Sequence, residues 1–198
     1  MMTQLEVMVA TEKHLPYVET IEQALIDASR VKGTGIAVRS RDYLTNMIRE
    51  GKSIIALHKD GTWAGFCYIE SWGHNKFVAN SGLVINPEYR GHGLAGRIKQ
   101  KALELSLELF PGAKLFGLTT SLAVMKINSK LGYKPVTFSE LTDDEQFWKG
   151  CQSCPYFDIL ERTGRTHCLC TGMLMDPEKD AKEQEGDQDN RHPEAAVA

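Results

Sequence analysis

Residues 83–96 read Leu-Val-Ile-Asn-Pro-Glu-Tyr-Arg-Gly-His-Gly-Leu-Ala-Gly, and this stretch constrains the chain more than any other. An apolar run ends at Ile85, a loop of turn-forming residues follows, and Leu94, Ile98, Ala102, Leu105 and Leu109 then recur at helical spacing. The pattern predicts a strand, a glycine loop and a helix in direct succession. The first N–H groups of a helix have no intrahelical acceptor and sit at the positive end of its dipole. Glycine permits positive φ and close backbone approach. Such a loop is suited to phosphate or pyrophosphate. A glycine-rich turn that binds nothing is the plain alternative.

Gly91, Gly93 and Gly96 also satisfy the dinucleotide fingerprint G-x-G-x-x-G, but the surroundings argue against it. In that fingerprint the first glycine follows its strand directly and an acid stands about twenty residues on. Here residues 86–90 intervene, and the region near Lys114 holds no acid.

The remaining chain predicts an α/β fold: an α+β mixed sheet, mostly antiparallel, with helices on both faces. Residues 5–10 read as a strand, and Thr11 can cap a helix carrying Val18, Ile21, Leu25 and Ala28 on one stripe. A second helix is expected over 41–50. Strands at 53–58, 62–72 and 76–85, joined by Asp60-Gly61 and Gly73-His74-Asn75, make an antiparallel meander. After the helix over 94–109 come a strand at 114–120, a helix from Ser121 to about Leu131 closed by Gly132, and a strand at 133–138. Thr142 with Glu145 spells a capping box for a short helix through Trp148, and residues 168–175 form the last strand.

Composition sets the class. With 198 residues, 42% of them hydrophobic, the chain can bury one core without staples. No run of eighteen apolar residues suggests a membrane span, and the first residues do not resemble a secretory signal. A net charge of −3 gives no reason to expect nucleic acid. From Glu178 onward seven acids face three bases, which leaves the rest at +1. Residues 177–198 are expected to be a disordered acidic tail, with an acidic interaction arm as the alternative. Residues 1–176 are expected to form the domain. The five cysteines are expected to be reduced, in a cytoplasmic setting.

The loop and the element order together resemble the GNAT N-acetyltransferases. Arg90-Gly91-His92-Gly93-Leu94-Ala95 matches their R/Q-x-x-G-x-G/A loop, and Lys130-Leu131-Gly132-Tyr133 is similar to their "K-x-G-F" segment. The resemblance covers about residues 5–176. It implies acetyl-CoA or another acyl-CoA as donor, with the amine attacking the thioester directly. It further implies that the backbone of Leu83, Val84 and Ile85 pairs with the pantetheine arm. Arg90, Gly91, His92, Gly93, Leu94, Ala95 and Gly96 would hold the pyrophosphate, and Asn128 would stand beside the thioester. A narrower resemblance joins Lys114-Leu115-Phe116-Gly117-Leu118-Thr119-Thr120 and Gly132-Tyr133-Lys134-Pro135-Val136 to the acetyltransferase domain of bacterial N-acetylglutamate synthases. It implies a small amino-acid acceptor such as glutamate, as in arginine biosynthesis. Homodimerisation is left open.

The family pattern breaks at two catalytic positions. Many members place a tyrosine four residues before the glycine of "K-x-G-F", where it can protonate the departing thiolate; here that residue is Asn128, which cannot act as an acid. Another group or water serves, or none is needed. The third meander strand also lacks the family's glutamate, so Glu70 is the candidate base, directly or through water. Thr119 can hydrogen-bond substrate or cap the following helix. Lys76, Arg39 and Arg41 are the cations available for an acceptor carboxylate. Two further readings stay open, a protein or peptide N-acetyltransferase and a non-catalytic acyl-CoA-binding module.

Within a Cys-rich insertion over 150–170, Cys151-x-x-Cys154 and Cys168-x-Cys170 lie thirteen residues apart, close to structural-zinc spacing. A hairpin over 155–167 would bring the pairs together, and a strand would put Cys168 and Cys170 on one face. Four reduced thiols are the alternative.

Overall fold

The computed structural model describes residues 4–179. Seven strands form one sheet: β1 (Leu5–Val9), β2 (Ser53–His58), β3 (Trp63–Trp72), β4 (Phe77–Ile85), β5 (Lys114–Thr119), β6 (Lys134–Val136) and β7 (Thr171–Met175). Their order is β1-β2-β3-β4-β5-β7-β6. β4 and β5 run parallel and every other pair is antiparallel. The helices are α1 (Val18–Ser29), α2 (Arg41–Arg49), α3 (Leu94–Leu109), α4 (Leu122–Lys130), α5 (Glu145–Lys149) and α6 (Phe157–Arg162). The expected mixed α/β fold is the fold observed.

Alternation along the strands divides the core into two layers. Ile54, Cys67, Val78 and Leu115 pack against Leu94, Ile98 and Ala102 of α3. Their neighbours Ile55, Phe66 and Tyr68 pack against Ile21, Leu25, Leu44 and Ile48 of α1 and α2. Farther along that second face, Ala79 and Phe116 meet Trp148 and Leu160 of the segment after β6. β3 is thus buried on both faces as far as Ile69.

Two irregularities open the sheet. Gly82 has φ +64°, and a Cβ there would stand 2.4 Å from Cε1 of Tyr68, so glycine is obligatory. The β3–β4 register slips by one residue at this point, a β-bulge. β4 and β5 pair only from Phe77↔Lys114 to Ala79↔Phe116 and then diverge.

Several local expectations shift. Thr11 precedes a 3-10 turn, Glu12–Tyr17, which leads into α1. Asp144 rather than Thr142 caps α5, accepting from the Gln146 N–H at 2.9 Å; Thr142 instead accepts from the Asp144 N–H. An aspartate at that position offers a charge-assisted acceptor to the first turn, which a threonine does not. The expected strand at 133–138 shrinks to Lys134–Val136. The last strand begins at Thr171, not at Cys168. After Asp176, residues 177–179 make a helical turn; the rest of the expected tail lies outside the described residues. No helix among the described residues is long and apolar enough to cross a membrane.

Candidate active site

The glycine loop forms as expected. Asn86 accepts from the Glu88 N–H and donates to the Trp63 carbonyl at 2.9 Å, fixing a 3-10 turn, Pro87–Tyr89, directly after β4. Arg90 Nε donates to the Ile85 carbonyl at 3.1 Å, so its side chain folds back onto the strand end. Gly91 and Gly93 have φ +77° and +75°, and Gly93 caps α3 without a side-chain acceptor for the helix's first N–H groups. A Cβ on Gly91, Gly93 or Gly96 would meet nothing within 4 Å. The first turn of a sixteen-residue helix therefore faces open space with uncapped donors and no acid, an arrangement chemically suited to an anion.

Beside this loop, the divergence of β4 and β5 opens a cavity of about 200 Å³. It passes from one face of the sheet to the other. On the α3 side it meets Asn80, Leu83, Lys99 and Asn128. On the opposite side it meets Arg39, Tyr68, Phe147 and Cys151, with the loop over residues 34–39 forming part of the wall. That loop is pinned in place: Thr120 Oγ1 accepts from the Gly35 N–H at 3.0 Å, and a Cβ on Gly35 would stand 3.1 Å from Cys170 Sγ.

The expected site residues fall on this cavity unevenly. Leu83, Thr119 and Asn128 line it, and Val84 and Ile85 continue the same strand into the core. Asn128 is 1% exposed; its Nδ2 donates to Met173 Sδ at 3.7 Å, while its Oδ1 is buried without a partner. An orphaned buried acceptor costs about 1–3 kcal/mol, so a ligand N–H is the natural partner for it. Thr119 Oγ1 accepts from the Ser121 N–H at 3.1 Å, which commits it to the turn before α4. Glu70 stands one step back from the wall. It accepts a hydrogen bond from Tyr43; burial raises its carboxyl, and the Tyr43 hydrogen bond and the Arg39 charge offset part of that rise.

Among the three candidate cations the fold singles out Arg39. Arg41 is spent on Glu19 and Glu22, and Lys76 sits exposed in the β3–β4 turn. Arg39 lies 5.2 Å over the Tyr43 ring and donates to the Gly150 carbonyl at 3.1 Å and to Ser153 Oγ at 3.3 Å. Its Nε is buried without a partner. Sequence reasoning missed Tyr43, Tyr68, Gly82 and Lys99. Only Lys99 left a signal, a lysine among Ala95, Ala102 and Ser106 along one face of α3.

The cysteine expectation needs correction. The segment between the pairs is helix α6, not a hairpin, and Cys168 and Cys170 lie in a bend before β7. Cys170 turns toward Gly35, while Cys168 Sγ points at the Tyr156 carbonyl, 3.8 Å away. The four thiols, Cys151, Cys154, Cys168 and Cys170, gather around a small apolar pocket with Leu118, Phe138 and Leu160. Burial pushes Cys151 up to about 11 and Cys170 up to about 12. Among the described residues no three His, Cys, Asp or Glu side chains could hold a metal ion, so zinc is not supported.

A Mycobacterium tuberculosis protein, Rv2747, solved with CoA and a second ligand, is similar at 18% identity and a TM-score of 0.63, over 86% of this chain and 98% of that one. The N-acetylglutamate synthase of Neisseria gonorrhoeae, complexed with coenzyme A and N-acetyl-glutamate, is similar at 16% identity and a TM-score of 0.61. The match covers 87% of this chain and only 35% of the synthase. A phosphinothricin acetyltransferase from Sinorhizobium meliloti, solved with AcCoA, is similar at 12% identity and 0.59, over 87% and 88%. At these identities the likeness is one of fold. No curated protein matches the sequence. The sequence model of the acetyltransferase (GNAT) family, however, matches residues 21–129, more than half of the chain, and the chain belongs to that family of acetyltransferases.

Proposed function

We propose that the protein moves an acetyl group from acetyl-CoA to the α-amino group of a small amino acid, glutamate foremost. The observation that carries the reading is the Arg39 guanidinium at the end of the cavity away from α3, with its Nε unpartnered and Glu70 close by. A cation and a carboxylate side by side match a zwitterion: Arg39 takes the acceptor's carboxylate, and Glu70 draws its ammonium and then its proton, through water. A neutral amine is the nucleophile, so a base at this point is chemically required. The cavity is small and walled at this end by residues 34–39, which favours a small acceptor over a peptide. The short likeness of residues 114–120 to N-acetylglutamate synthases, and the ligand of the Neisseria structure, support glutamate.

The chain's own residues fit the donor. The N–H groups following Gly91 and Gly93 would hold the pyrophosphate, and the unpaired edge of β4 beyond Ala79, including Leu83, would run along the pantetheine. The buried Asn128 Oδ1 would accept from an amide of that arm. CoA supplies the activated acyl group; the protein contributes position and proton handling.

The test is release of CoA thiol from acetyl-CoA with L-glutamate, other α-amino acids and amines lacking a carboxylate. The expected order favours L-glutamate. Arg39→Leu is expected to raise the KM for the amino acid about a hundredfold, or ~2.7 kcal/mol, and to leave acetyl-CoA affinity unchanged. Equal use of amines without a carboxylate would overturn the assignment.

A further inference from the structure

Beneath the gap between β4 and β5 lies a lysine that the fold has no evident need for. Lys99, in the second turn of α3, is 3% exposed and lines the cavity. Its Nζ donates to Asn80 Oδ1 at 3.1 Å and lies 5.4 Å from the centre of the Tyr133 ring. Asn80 is held in turn: its Nδ2 donates to Ser106 Oγ at 3.3 Å, and the Tyr133 hydroxyl donates to its Oδ1 at 3.3 Å. Among the described residues Asn80 is the only hydrogen-bond acceptor recorded for Lys99, and no carboxylate forms an ion pair with it. An ammonium carries three donors. Two have no acceptor among the described residues, on a cavity that the unpartnered Asn128 Oδ1 also lines.

A buried, uncompensated charge is expensive and is seldom retained for packing alone. A methionine or leucine would fill the same space without that cost. We propose that Lys99 is the proton donor to the departing CoA sulfur, the task that Asn128 on α4 cannot perform. The proposal rests on the acetyl-CoA reading above. The acceptor nitrogen bonds to the thioester carbonyl carbon, the C–S bond breaks with its electron pair on sulfur, and Lys99 Nζ gives that sulfur a proton. The surplus proton on nitrogen leaves through Glu70 and water, and solvent reprotonates Lys99.

The surroundings suit the role. The groups against Lys99 are Cys67 on β3, Asn80 on β4 and Tyr133 before β6, with Ser106 bonded to Asn80 and Asn128 of α4 lining the same cavity. None is an acid at neutral pH: burial pushes the Cys67 thiol up to about 11 and raises the Tyr133 hydroxyl. The same burial lowers Lys99 from the ordinary lysine value, bringing the donor closer to working pH.

Two measurements test this. The first needs no acceptor: the thiol of CoA bound to the wild-type protein is titrated by its ultraviolet thiolate absorbance. An ammonium against the sulfur predicts a thiol pKa below that of free CoA, returning toward the free value in Lys99→Met. A bound thiol that titrates like free CoA in the wild type overturns the proposal whether or not the variant folds. The second is turnover with acetyl-CoA and L-glutamate. Lys99→Met is expected to lose about a hundredfold in kcat with acetyl-CoA affinity within about threefold, and to lose the alkaline limb of the pH profile. Lys99→Arg should keep CoA binding and move that limb upward. An unchanged kcat in Lys99→Met overturns Lys99 as the donor. Wild-type protein that binds CoA and turns over in that case leaves the acetyltransferase reading standing, whereas wild-type protein that binds no CoA sinks both.

Discussion

The proposed donor loop and the proposed acceptor end of the cavity are made in different ways. In the loop, Ile85, Arg90, Gly91 and Gly93 belong to one short stretch of chain, and the contacts that shape it are mostly local: Arg90 to Ile85, Asn86 to Glu88. At the proposed acceptor end, Arg39, Phe147 and Cys170 line the cavity with Glu70 near Arg39, and the four come from distant segments. Their closure depends on contacts such as the Gly33 N–H donating to the Tyr156 hydroxyl at 2.7 Å, across 123 residues. A local device can be carried unchanged from one protein to another. A device assembled across the sheet changes whenever any one of its distant segments changes.

Substitutions should separate the ends. Gly93→Glu puts a Cβ at φ +75° and a carboxylate at the positive end of α3, against the expected pyrophosphate. CoA affinity, measured calorimetrically, is expected to fall more than about a hundredfold for every acceptor alike. Selective loss with one acceptor would break the division.

Glu70→Gln probes the acceptor end. If Glu70 takes the amine proton, kcat/KM with L-glutamate falls about a hundredfold while CoA affinity holds. The base must be ionised, and burial raises its carboxyl, so wild-type activity should climb with pH through a value above the ordinary carboxylate range near ~4.3. The variant should lose that acidic limb. A persisting limb would assign it to another group and leave Glu70 as the holder of Tyr43.

The smallest effect is expected in the thiol cluster. Cys154→Ala removes a half-buried sulfur from an apolar pocket and should cost no more than ~1 kcal/mol in thermal denaturation, with turnover unchanged. Protein purified without chelator should carry no stoichiometric zinc. A metal equivalent lost with Cys154→Ala would restore the zinc expectation.

The contrast also explains what could be read in advance. Gly91, Gly93, Gly112 and Gly132 stand at positive φ where the loop and helix ends require it, and the periodicity of Leu94, Ile98, Ala102 and Leu105 marks the buried face of α3. These are near-neighbour constraints, visible in composition and spacing. The cysteines misled for the same reason in reverse. Their spacing suits a metal knuckle, but Leu160 and Phe157 drive the intervening segment into a helix that buries against Phe138, and the sulfurs end around an apolar pocket.

By itself the sequence determined the strand–loop–helix that can take a pyrophosphate, the mixed sheet around it, and the absence of a tyrosine at Asn128. Only the tertiary structure decided which of three cations lines the cavity, that Glu70 lies against Tyr43 and near Arg39, and that Lys99 lies under the gap in the sheet. Backbone conformation and helical periodicity are governed by residues a few positions apart. The environment of a charge is set by whichever distant segments pack around it, and its chemistry follows from that burial.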